Sequence, residues 1–69
     1  PSLSRSDWER LIDEWILSER YRRILKHKLL DDWSHERIAE CEGMSTNGVK
    51  KIIARCMAVL REHTEEPPG

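Results

Sequence analysis

The chain is predicted to be all-α, a small four-helix bundle whose C-terminal half is a helix-turn-helix. Apolar residues recur at helical spacing in each segment, and no stretch alternates as a strand would. Serines stand where helices would begin, and a glycine stands where one would end. Ala39, Gly43 and Val49 lie at offsets of zero, four and ten, the spacing that two helices crossing at a tight turn require.

The first helix is expected over residues 6–16. Ser6-Asp7-Trp8-Glu9 reads as a capping box, and Trp8, Leu11, Ile12, Trp15 and Ile16 follow the i, i+3, i+4, i+7 rule. Ser18 would cap a second helix over residues 19–31, fading near Leu30, with Tyr21, Ile24, Leu25 and Leu29 as its inner stripe. Asp31-Asp32-Trp33 is the break. Ser34 would cap the third helix, residues 35–42, and Gly43 would end it; Ser45 would cap the fourth, residues 46–62. Residues 63–69, with Glu65, Glu66 and Pro67-Pro68-Gly69, read as a frayed tail.

Each member of the spaced trio has a physical reason. Ala39 is small where the fourth helix crosses the third, Gly43 tolerates a left-handed backbone, and Val49 drives a β-branched anchor back into the crossing. Met44 would plug the corner, with Ile38, Val49 and Ile52 or Ile53 facing it across the angle. The second helix of such a pair is the one that enters the DNA major groove.

A chain of 69 residues makes one domain, able to bury about 60% of its unfolded surface. With no long apolar run and no signal-peptide pattern, the expectation is a cytoplasmic, nucleoid-associated protein without a membrane partner. Cys41 and Cys56 are expected to be reduced core thiols, and with His27, His35 and His63 they show no metal-ligand spacing. No cofactor or metal is expected. The net charge of −1 is unevenly spread: residues 1–19 carry two basic and five acidic side chains, 20–61 ten basic and five acidic, and 62–69 three acidic. The positive segment is the one that contains the helix-turn-helix, which suits a polyanionic partner.

On the fourth helix, Val49, Ile53, Cys56 and Leu60 fall within about 60° of one another at 100° per residue and form the inner stripe. Asn47, Lys51, Ala54 and Ala58 point the other way, and Lys50, Arg55 and Arg61 lie on the shoulders, where phosphates would be. Thr46 and Asn47 stand at the end that meets base edges: asparagine can pair bidentately with adenine, lysine can donate to guanine, and the threonine methyl can touch thymine. Ser34, His35 and Arg37 occupy a helix N-terminus suited to a phosphate. Taken singly Lys50, Lys51 and Arg55 read more readily as a solvated face, and only with the turn motif as a DNA-facing one; His35 reads equally as an ordinary surface histidine. Of the denser run Arg20, Arg22, Arg23, Lys26 and Lys28, Lys28 is expected to snorkel and Arg22, Arg23 and Lys26 to point outward, in mostly intramolecular and solvated roles.

The stretch from Arg22-Arg-Ile-Leu through Ser34-His-Glu-Arg-Ile-Ala-Glu to Met44-Ser-Thr-Asn-Gly-Val-Lys and Arg55 resembles region 4, the promoter-reading domain of bacterial sigma factors. It is similar also to small sigma-factor-like proteins of phages and prophages. The likeness spans about residues 18–61. It implies that Thr46, Asn47, Lys50 and Lys51 face bases, with Arg55 and the start of the third helix near phosphates. Asp32 replaces the family's common glycine in the second turn, Trp33 a smaller apolar residue, and Gly48 a frequent threonine. Lacking a second domain to open promoter DNA, the chain is not expected to act as a complete sigma factor.

The resulting expectation is a non-enzymatic, sequence-specific binder of double-stranded DNA that regulates transcription in a bacterium or prophage. Two alternatives stand beside it. One is a protein-interaction module binding RNA polymerase or a regulatory partner, with Ile52, Met57 and Val59 as exposed apolar flank and a homodimer as one form of that contact. The other is the DNA-binding part of a phage packaging or recombination protein. The three histidines have no nucleophile or carboxylate placed beside them by any motif, which argues against an enzyme.

Overall fold

The chain folds as α1 (Arg5–Trp15), α2 (Glu19–Leu29), α3 (His35–Glu42) and α4 (Thr46–Thr64) in a computed structural model that describes residues 3–64. No strand occurs among the described residues.

Serine caps open the helices, and one of them is not the serine expected. Ser4, rather than Ser6, caps α1: its hydroxyl accepts from the Asp7 N–H, and the Asp7 carboxylate accepts in return from the Ser4 N–H, at 3.2 Å each. Those bonds to Ser4 hold the Asp7 carboxyl below its usual pKa. Ser18 caps α2 through the Tyr21 N–H, and Ser34 caps α3 through the Arg37 N–H at 3.1 Å. The second helix stops at Leu29, so Asp31 lies in the break instead of the helix. There Asp32 takes a left-handed backbone, φ 58°, the conformation that glycine adopts at least cost.

The longer end of α4 also departs from the expectation. The helix runs through Thr64, and His63 lies flat on Trp15 of α1, ring centroids 3.5 Å apart and planes within 4°. That stack fastens the last turn, where fraying was expected to begin at residue 63. Residues 65–69 of the expected tail lie outside the described residues.

α4 is the axis of the molecule: α1, α2 and α3 all pack on it, while α1 and α3 do not meet among the described residues. Two buried clusters result. One joins Ile12, Ile16, Leu25, Cys56 and Leu60 beneath α1; the other joins Ile24, Ile38, Ala39 and Val49 at the helix-turn-helix. Ile52 and Ile53 touch both, making the core continuous. Each fully buried isoleucine or leucine here contributes roughly 1.5–3 kcal/mol by leaving water.

The cysteines divide. Cys56 is buried, and burial pushes its thiol pKa up, but Cys41 is exposed and is not a core thiol. An eight-residue helix packed on one side has a narrow buried face, and Ile38 and Ala39 fill it.

Candidate nucleic-acid interface

The corner between α3 and α4 is three residues long, and each has a task. Gly43, whose N–H bonds the Ala39 carbonyl, takes φ 66°, ψ 38°, which turns the chain back over the end of α3. The Met44 N–H donates to that same carbonyl at 3.0 Å, and the Met44 side chain packs on the Ile38–Val49 cluster. Ser45 accepts from the Gly48 N–H at its hydroxyl, 3.0 Å, and from the Val49 N–H at its carbonyl, 3.1 Å. A Cβ on Gly48 would stand 3.1 Å from both the Met44 methyl and the Ser45 hydroxyl. The absent side chain therefore lets the plug and the cap close over the first turn of α4.

With Val49 buried at 0% exposure, the outer face of α4 is set by helical geometry. Asn47, Lys50, Lys51, Ala54, Arg55 and Ala58 are exposed, and Thr46 is half-buried at the helix start. On α3, Ser34 and Arg37 are exposed and His35 is half-buried. The Ser34 oxygen already accepts the capping bond, which leaves its hydroxyl proton available to a further acceptor.

The two basic runs of the chain are treated in opposite ways. On α2, Arg20 and Arg23 both bind the Glu42 carboxylate, Lys26 pairs with Asp13 at 2.8 Å, and Lys28 reaches the Trp33 carbonyl. Arg22 turns inward: its Nε donates to the Ile16 carbonyl at 2.6 Å, so the outward placement expected of it is incorrect. The cause is the α1–α2 link, whose carbonyl at the end of α1 needs a donor that no helix supplies. On α4, Lys50, Lys51 and Arg55 form no ion pair among the described residues. Uncompensated cations thus gather on the exposed face of α4, flanking the small side chains Ala54 and Ala58.

Three acidic groups elsewhere, Glu42, Asp13 and Asp31, are matched with cations. The bidentate Arg23 contact, helped by Arg20, holds the Glu42 carboxyl below its ordinary range, and the Lys26 bond does the same for Asp13. Asp31 is lowered by its bond from His27, then by Arg5, which also donates to the Leu30 carbonyl at 2.8 Å.

One arrangement at this corner had no signal in the sequence. Trp33 lies parallel to His27, centroids 3.9 Å apart and planes within 2°, and the Arg37 guanidinium carbon sits 3.9 Å from the indole centroid. The three come from α2, the break and α3, so no single periodicity links them.

The apolar flank expected on α4 is largely absorbed by the core. Ile52 and Met57 are half-buried against it, and of the three only Val59 ranks among the exposed large apolar side chains. Leu17 and Trp15 are more exposed, at 83% and 40%. Among the described residues no cluster of His, Cys, Asp and Glu is disposed to hold a metal ion, and no helix is long and apolar enough to cross a membrane.

Comparison with curated proteins and with solved structures gives no match. The family model for sigma-70, region 4, matches residues 16–60, which run from the end of α1 through α2 and α3 and along most of α4. With its left-handed Gly43, its Ala39–Val49 crossing and that match, the chain belongs to the sigma-70 region 4 family of DNA-binding helix-turn-helix domains.

Proposed function

We propose that this chain binds double-stranded DNA in a sequence-dependent way, with α4 in the major groove, and acts without catalysis in the control of transcription in a bacterium or prophage. The observation that carries the reading is the contrast between the two basic runs. Cations of α2 are tied to acidic groups and carbonyls of the fold, whereas Lys50, Lys51 and Arg55 face solvent with no acidic partner among the described residues. Thr46, Asn47, Lys50 and Lys51 are assigned to base edges, and Ser34, His35, Arg37 and Arg55 to phosphates, on the geometry of a helix that enters by its N-terminal half. Ala54 and Ala58 leave the middle of the helix free of bulk for close approach.

The test is selection from random duplexes, followed by titration of the enriched sequence and a scrambled control at several salt concentrations. A preference for the enriched duplex, with affinity falling linearly on a logarithmic salt scale, supports the reading. Equal affinity for both duplexes rejects sequence recognition.

A protein contact is the second reading, and Leu17 favours it, being 83% exposed among the described residues and available as an apolar anchor for a partner. RNA polymerase is the partner that family membership suggests. Loss of polymerase binding in Leu17→Asp, with DNA binding retained, is the outcome this reading expects.

A further inference from the structure

We infer that Trp33 is a positioning residue that holds Arg37 as a preset phosphate clamp on DNA flanking the base pairs covered by α4; the inference rests on the DNA-binding reading above. The indole is bracketed. His27 lies parallel to it at 3.9 Å between centroids, and the Arg37 guanidinium carbon is also 3.9 Å from the indole centroid. Two groups at that height cannot share one face of a ring, so Trp33 is the middle layer of a three-layer stack.

The far side is backed. His27 Nδ1 is bonded to the Asp31 carboxylate at 3.0 Å, and Arg5 reaches the same carboxylate at 3.4 Å. The near side is open: Arg37 is exposed and forms no ion pair among the described residues, although Glu36 and Glu40 share its helix.

Stacking engages the face of a guanidinium and leaves its in-plane N–H edge unused. That edge is the part that grips a phosphate with two parallel bonds. An unrestrained arginine must give up rotamer freedom to do so, whereas a stacked one has already lost much of it.

The experiment uses the full chain and its selected duplex, with affinities read at several salt concentrations and melting curves taken on every variant. Removing one phosphate contact lowers the salt slope by about 0.9, and Arg37→Ala is expected to show that loss on matched and scrambled DNA alike, with affinity down about threefold. Trp33→Leu is expected to weaken binding when Arg37 is present and to add nothing in the Arg37→Ala background. Trp33→Phe, which keeps an aromatic face, is expected to restore parental binding. Arg37→Lys leaves the indole untouched and keeps the charge, and should lose affinity while retaining the slope. Parental affinity and slope in Arg37→Ala, full affinity in Arg37→Lys, or an equal cost of Trp33→Leu in both backgrounds would each overturn the inference while DNA binding stands. A parent chain that binds no duplex overturns the DNA-binding reading itself, and this inference with it.

Discussion

Arg23 grips the Glu42 carboxylate with two hydrogen bonds, Nε to Oε2 and Nη2 to Oε1, each 2.8 Å. Arg20 adds a bond from Nη2 to the Glu42 carbonyl at 2.7 Å. The Glu42 side chain is only 7% exposed, so the last residue of α3 is pinned to α2 immediately before the left-handed turn. The direction in which α3 enters the corner therefore depends on an ion pair as well as on apolar packing.

Acid should loosen that pin. Glu42 has a folded pKa below its ordinary 4.5, so its contribution is fully present above about 4.5 and is lost as pH falls through the lower folded value. Glu42→Gln should cost about 1 kcal/mol near neutrality. Its melting temperature should then fall less steeply than the parent's between about pH 5 and pH 3. Parallel curves for the two proteins would show that the carboxylate contributes nothing to the fold.

Gly43→Val should destabilise by about 1–3 kcal/mol through the backbone alone. A Cβ there meets nothing within 4 Å, so the cost is assigned to the left-handed φ of 66°. Gly43→Asn, which tolerates that conformation better, should recover much of the loss. Thermal melts of the valine variant matching the parent within about a degree would show that residue 43 bears no backbone strain.

Asp32→Gly should raise stability by about 0.5–1 kcal/mol, because an aspartate at φ 58° is held against its preference. Asp32 is exposed and makes no side-chain hydrogen bond among the described residues, so little is lost with it. A melting temperature lower than the parent's would mean that the side chain contributes more than its backbone costs.

Substitutions on α4 should separate by the kind of damage they do. Lys51→Ala and Asn47→Ala should each cost about 1–3 kcal/mol on the preferred duplex and relax the choice at one or two base pairs. Arg55→Ala should weaken binding to all duplexes alike and reduce the salt slope by about one unit. If all three leave DNA affinity unchanged while abolishing a protein contact, the basic face of α4 is a docking surface for protein.

Features that depend on a few neighbouring residues were legible in the sequence, and those that depend on the meeting of distant segments were not. The left-handed Gly43 and the capping Ser18, Ser34 and Ser45 follow from local hydrogen-bond needs that a chain reader can count. The start of α1 was ambiguous by the same rule, because Ser4–Asp7 and Ser6–Glu9 both offer a hydroxyl with an acid three residues on. The turn of Arg22 toward the Ile16 carbonyl, the exposure of Cys41 and the Trp33 stack are set by how α1, α2 and α3 lie against one another. Periodicity along one helix carries no information on that. At the candidate interface the exposed positions of α4 were foreseeable from Val49 as anchor, but the pairing of the α2 cations with Glu42 and Asp13 required the fold.

A helix of 19 residues is about 28 Å long, and α4 divides that length between two trades. Cys56 and Leu60, in its C-terminal half, lie in the core beneath α1 and α2, with His63 fastened on Trp15, while Asn47, Lys50 and Lys51, at the other end, are exposed. Changes at those three positions are therefore nearly free of structural consequence. On the DNA-binding reading proposed above, one target site gives way to another by drift at such surface positions, with the architecture that presents them inherited intact.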